Sequence, residues 1–315
     1  MLRSWRARAS TSFGSMAGVV LVLGLVVPCF AQDAPRPIRF RPLSDVVDSN
    51  AIQVFGGKQP SAGDWSSIVV ANSADGAAEW SCSATLVGPR VLLTAAHCVD
   101  SQSGKARPLI ITLDDGEIQF DCQIDQVYTD SGNYSTNQPR GVDDYALCAL
   151  SPKTKQRPAR YDLLAQEIVD LEPLEPSNAV LITGYGCTAM KVDLDAGDIV
   201  HGPFSQVFNI GDELVDSVSA YSVRTNSKAA KEPALCQGDS GGPLFSGATT
   251  ANPTAKRFVR GVNSKVSAAT GQLISTMAAL SSPNFRAYLA CWQKSNGAFR
   301  VAVKDPNLVP KCAAT

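Results

Sequence analysis

Three widely spaced residues have the types needed for nucleophilic chemistry. They are His97 in Leu92-Leu93-Thr94-Ala95-Ala96-His97-Cys98, Asp144 in Asp143-Asp144-Tyr145-Ala146-Leu147, and Ser240 in Cys236-Gln237-Gly238-Asp239-Ser240-Gly241-Gly242-Pro243-Leu244. A serine hydroxyl is a weak nucleophile until an imidazole takes its proton, and that imidazole needs a carboxylate to fix its tautomer. The chain contains two histidines, and His97 is the one inside such a pattern. His201, in Ile199-Val200-His201-Gly202, reads as a loop or partly packed residue.

These motifs, in the order His, Asp, Ser, resemble those of the chymotrypsin/trypsin family of serine endopeptidases, from about Val54 to Trp292. The Asp-Tyr-Ala-Leu register matches the family at Asp144 rather than at its rival Asp143. The resemblance implies an all-β fold: two six-stranded antiparallel β-barrels with a C-terminal α-helix, the triad lying between them. Catalytic His97 and Asp144 would come from the first barrel and Ser240 from the second. Peptide bonds would be hydrolysed through an acyl-enzyme, with the backbone N–H groups of Gly238 and Ser240 forming the oxyanion hole. Gly238 to Gly242 also fits G-x-S-x-G, but α/β-hydrolases place their histidine after the serine. No histidine follows Ser240, which excludes that fold.

Val54-Phe55-Gly56-Gly57, followed by Gly63-Asp64-Trp65, looks like the mature start of the family. There a new α-amino group, here that of Val54, pairs with the acid preceding the nucleophile, here Asp239. Gln53 stands where the family usually has Arg or Lys, so either a protease of different specificity makes the cut or activation departs from the family scheme. The resemblance places Ala234, Leu235, Ser264, Val266 and Ser275 around the primary substrate pocket. Ala234 lacks the carboxylate that would select basic side chains, while Leu235 and Val266 narrow the slot toward small or medium apolar residues. One methylene discriminates by only about 1–3 kcal/mol, so the preference would be broad. The reading from another class is a catalytically silent homologue acting as a binding module.

The positioning elements follow from the remaining sequence. Arg3, Arg6 and Arg8 precede an apolar run from Met16 to Val27, and Cys29-Phe30-Ala31 supplies small residues for cleavage after Ala31. Residues 1–31 therefore read as an export signal. A spanning helix needs about 20 apolar residues, more than this run offers, and Pro28 is wrong for a lipid on Cys29. The expected location is secreted, or periplasmic in a Gram-negative source, with no stable membrane association. A net charge of −1 without a basic patch argues against a nucleic-acid partner. The expected partners are polypeptide substrates and an activating protease.

Residues 32–53, with Asp33, Pro35, Pro37, Pro42, Asp45 and Asp48, read as a propeptide without a core. Of nine cysteines, Cys29 leaves with the signal, and the remaining eight allow 105 pairings in an oxidising compartment. The family implies Cys82–Cys98. Neighbouring strands suggest Cys122–Cys148, the oxyanion region Cys187–Cys236, and a stapled tail Cys291–Cys312. No Cys/His spacing points to a metal site, and the chemistry calls for no cofactor. Asn133-Tyr134-Ser135 fits a glycosylation sequon.

Short apolar or alternating runs predict strands over 67–71, 82–87, 109–113, 117–120, 145–150, 180–183, 258–262 and 272–277, with an Asp115-Gly116 hairpin turn. Ser282-Pro283, followed by Phe285, Tyr288, Leu289 and Trp292 at i, i+3, i+4 and i+7, predicts a capped amphipathic helix. The expected domains are a first barrel over 54–160, a second barrel with its helix over 161–293, and a tail over 294–315.

Overall fold

Runs such as Val91-Leu92-Leu93-Thr94 and Ala146-Leu147-Cys148-Ala149 are too short and too apolar for a two-sided surface element, and they become strands buried along almost their whole length. A computed structural model describes residues 38–42, 54–61, 63–71, 82–101, 106–130, 142–187, 190–193, 198–202, 208–228, 232–269 and 271–313. The expected signal peptide and the Asn133 sequon lie outside the described residues. No described helix is long and apolar enough to cross a membrane.

The expected all-β fold is present, as two β-barrels with six antiparallel strands in each, a seventh strand joining the first, and a C-terminal helix. The first is built from β2 (Ile68–Ala71), β3 (Ser83–Gly88), β4 (Val91–Thr94), β5 (Leu109–Leu113), β6 (Gly116–Ile124) and β7 (Ala146–Leu150). The second is built from β8 (Ala179–Gly184), β11 (Asn209–Val218), β12 (Ser222–Lys228), β13 (Pro243–Ser246), β14 (Phe258–Ala269) and β15 (Gln272–Ala279). A separate hairpin pairs β9 (Met190–Asp193) with β10 (Asp198–His201). His201 therefore ends a strand.

One boundary differs from expectation. A further strand, β1 (Ile38–Pro42), completes the first barrel in the order β1-β2-β3-β4-β7-β6-β5, so that barrel begins at Ile38 and not at Val54. Ile38-Arg39-Phe40-Arg41 has the period-two alternation of a strand, which the flanking prolines disguise. Proline is tolerated at a strand end, where Pro42 sits. A smaller difference lies in the first hairpin. Asp114 and Asp115 form its turn, and Gly116, at φ +147°, opens β6 opposite Leu113.

The helix Pro283–Ser295 starts where its cap predicts, with the Ser282 hydroxyl accepting from Phe285 N at 3.0 Å. Its Phe285, Leu289 and Trp292 are buried. Phe285 and Tyr288 meet Tyr145 with ring centroids 4.9 and 5.6 Å apart, so the helix packs beside the segment that carries Asp144. The residues beyond the helix do not trail free. Ala302 N donates to Val87 O in β3, while Val169 N donates to Ala302 O and Lys304 N to Val169 O. The tail thus straps the first barrel to the crossover between the barrels, and Cys291–Cys312 closes the strap.

Candidate active site

His97 lies on a single helical turn, Ala96–Val99, directly after β4, and Asp144 precedes β7. Because β4 and β7 are paired from Thr94–Ala146 to Val91–Ala149, the ladder delivers both residues to the same end of the barrel. Asp144, with 0% exposure, has no solvent to neutralise it and relies on three hydrogen bonds. His97 N donates to Oδ1 at 3.0 Å, and His97 Nδ1 lies 2.7 Å from Oδ2. The Ser264 hydroxyl donates to Oδ2 at 2.5 Å. Burial alone would raise the Asp144 carboxyl, but the charge of His97 and these bonds hold it below the ordinary carboxylate range. Burial lowers the His97 imidazole, yet Asp144 outweighs it and Asp100 adds to the effect, leaving the ring above its usual value. An imidazole anchored through Nδ1 leaves Nε2 for proton transfer.

Asp143 faces a different set of groups. Both of its oxygens accept from Asn284 Nδ2 at 3.1 Å, and Tyr145 Oη bridges Asp143 and Asp125 at 3.3 and 2.9 Å. Its backbone, at φ +51°, is uncommon for a residue with a side chain, and these contacts hold it there. Asp143 and Asp125 are both raised, chiefly by burial.

Ser240 sits in a loop fastened to both barrels. Its carbonyl accepts from Ser83 N at 2.7 Å in β3, while Gly241 N donates to Asn263 O and Asn263 N to Gly242 O in β14. Gly238 and Gly241 have φ of +108° and +81°, values that side chains disfavour. A Cβ on Gly241 would lie 2.1 Å from Ser83 O, so the two barrels approach too closely there for any side chain. Among the described residues, no hydrogen bond joins Ser240 Oγ to the His97 ring in this uncut chain.

Asp239, with 0% exposure, points into a cage of backbone donors: Gly186 N at 2.6 Å, Cys236 N at 2.7 Å and the N–H of Tyr185. Among the described residues it has no ionic partner, and burial pushes its pKa up to about 7. Gly184 and Gly186 make room for it, since a Cβ on Gly184 would lie 1.8 Å from Asp239 Oδ1. These two glycines escaped the sequence reading, although Gly184-Tyr185-Gly186 beside Cys187 was a signal in plain view. Val54 is fully buried against Ile182, Leu235 and Leu244, and Phe55 bridges to Ala234, keeping the proposed mature start beside the nucleophile loop.

The pocket candidates are brought together unevenly. Val266 lies in register with Ser275, and the Ser275 hydroxyl accepts from Leu235 N at 2.9 Å. Ala234 packs with Cys236, Leu273 and Val266. The hydroxyl of Ser264, also expected at the wall, is committed to Asp144. The bonds Cys82–Cys98, Cys122–Cys148, Cys187–Cys236 and Cys291–Cys312 are present. Two Cys–His–Cys groupings, around His97 and around His201, could hold a metal by distance, but in each the two sulfurs are bonded to one another. His201 Nδ1 lies 3.5 Å from Cys236 Sγ, and burial lowers its pKa.

Two β-barrels, with a half-buried histidine paired to a buried aspartate beside a glycine-rich serine loop, define the architecture of a serine protease. The model of the Trypsin family matches residues 54–282, and the chain belongs to that family. It is similar to Phenoloxidase-activating factor 3 of Holotrichia diomphalia, 26% identical over 249 residues, covering 67% of this chain and 64% of that protein. It is also similar to Trypsin epsilon of Drosophila erecta, 27% identical over 177 residues, covering 53% of this chain and 63% of that protein. The matches span less than two thirds of the length of both relatives.

Proposed function

We propose that this chain is the precursor of a secreted serine endopeptidase. His97 takes the proton of Ser240 as the hydroxyl attacks a peptide carbonyl, and then returns it to the leaving amine. Asp144 holds the imidazole and stabilises its cationic form. The N–H groups of Gly238 and Ser240 receive the developing oxyanion, each such donor being worth about 10²–10³ in rate. The observation that carries the reading is the His97–Asp144 contact of 2.7 Å, closed by Ser264 and delivered to the same edge as the Ser240 loop.

Cleavage before Val54 would free an ammonium for the Asp239 cage, which has three N–H donors and no cation among the described residues. Val54 itself is β-branched at φ +53°, a strained backbone that such a cut would release. Ala234, Leu235, Val266 and Ser275, the residues proposed to line the pocket, are all uncharged, which supports small or medium apolar residues before the scissile bond. Four disulfides are consistent with an oxidising, extracellular setting. Narrow action on one protein partner draws support from a relative named as an activating factor.

A fluorophosphonate probe tests the core claim. Protein cut before Val54 should be labelled at Ser240, with labelling abolished in Ser240→Ala and in His97→Ala. Absence of labelling in correctly started protein would mean a silent scaffold. Digestion of a mixed proteome then separates broad from narrow action, and a peptide library dominated by cleavage after Arg or Lys would overturn the apolar preference.

A further inference from the structure

The residues upstream of Val54 are part of the first barrel and not only a leader to be discarded. β1 runs antiparallel to β2, with Phe40, Arg41 and Pro42 in register with Ala71, Val70 and Val69. It runs parallel to β5, with Ile38, Arg39 and Phe40 in register with Leu109, Ile110 and Ile111. In the order of the closed sheet β2 and β5 are not neighbours, so the barrel closes only through β1.

Taking β1 away would open two strand edges at once. The backbone groups of β2 and β5 that face it would lose their partners. Those strands contribute Val69, Val70, Leu109 and Ile111 to the core, so the gap would open directly over buried apolar side chains. No cysteine lies between Gln32 and Gln53, so after a cut before Val54 no disulfide could tether the upstream piece. Ile38-Arg39-Phe40-Arg41 alternates apolar and cationic residues along the sequence.

We propose that, after the activating cut, the segment carrying Ile38–Pro42 remains seated between β2 and β5 as a non-covalent strand, so that the mature molecule is a two-chain particle. The slot is then a strand-addition site for an extended peptide of alternating apolar and cationic residues, namely this chain's own. The proposal rests on the cut before Val54 argued above. N-terminal sequencing of natural mature protein examines that cut separately.

The test uses the folded full chain with a recognition site for a specific protease placed immediately before Val54, in a Ser240→Ala background. Its outcome therefore does not depend on the chain's own activity. After cutting, gel filtration and native mass spectrometry should find the upstream fragment still bound to the body that starts at Val54. Labelled peptide 35–44 in excess should displace the fragment, as read by fluorescence anisotropy. The same peptide with Phe40→Pro should bind at least about tenfold more weakly, having lost a ladder donor, and a scrambled peptide should not bind. A fragment that separates from the body on cutting, or a Phe40→Pro peptide that binds as well as the natural one, would overturn the proposal.

Discussion

Gly184→Ala is the smallest change that should silence the nucleophile loop from outside it. Gly184 is held in the β8 ladder opposite Asn209, so its backbone has little freedom to retreat. An added Cβ would stand 1.8 Å from Asp239 Oδ1, 2.2 Å from Cγ and 2.7 Å from Cβ. The Asp239 carboxylate would have to leave its cage and lose the donors Gly186 N and Cys236 N. Hydrogen bonds to a charged group are worth about 1.5–3 kcal/mol each, and overpacking costs about 1–3 kcal/mol. A loss of about 4 kcal/mol in stability corresponds to a fall of roughly 8–16 °C in Tm. If half to all of it falls on ordering of the loop, kcat/KM drops by about 10–10³. Peptide-substrate kinetics on cut protein and thermal unfolding of the uncut chain measure the two effects. Gly271→Ala is the control, because its Cβ meets nothing and only the φ of +82° is strained, for about 1 kcal/mol and no change in rate. Adding Asp239→Ala to Gly184→Ala removes the clashes with Oδ1 and Cγ but leaves the 2.7 Å approach to the Cβ of residue 239, so it should recover only part of the stability and none of the rate. A Gly184→Ala enzyme matching the Gly271→Ala control in both rate and Tm would refute the reasoning.

Because the Asp144 charge raises His97, the acid limb of kcat/KM against pH should have its midpoint above 6.5, and a midpoint below that value would contradict the assigned base. In the uncut chain Asp239 has its folded pKa raised to about 7, so the protonated form is favoured by folding and stability from this group falls as pH rises from about 4 to 7. Asp239→Asn should flatten that slope in unfolding measured across this window, and an unchanged slope would remove the group from the account. Glu167 accepts from Arg257, which stacks 3.8 Å from the Trp65 ring, and from the Ser67 hydroxyl. Glu167→Ala strands a largely buried guanidinium and should cost about 3–5 kcal/mol in denaturant unfolding, whereas a loss under about 1 kcal/mol would show that the pair contributes little.

Which features could be read from the chain depended on how local their causes are. The His97, Asp144 and Ser240 motifs and the Ser282 cap each carry their reason within a few residues. Gly184 does not, since the need for a bare α-carbon comes from Asp239, far along the chain. The family resemblance places Ser264 at the pocket wall but gives no reason to expect its hydroxyl on Asp144. That bond joins residues far apart in the chain and sits at a register shift between Asn263 and Lys265. β12, Ser-Val-Arg-Thr-Asn-Ser-Lys, was missed because its polar composition hides an inward face of Val223, Thr225 and Ser227. β1 was missed because prolines flank it, although its alternation was visible.

The strap beyond the helix has a consequence for how the molecule is made. Val87 O finds its partner in Ala302 N, and Gly88 lies so close to Arg300 O that a Cβ would stand 2.1 Å away. As synthesis proceeds from N to C, Val87 O waits for Ala302 N until the residues around 300 have emerged from the ribosome. The contacts that join Val87 and Gly88 to the tail therefore form only after both barrels and the helix have been synthesised.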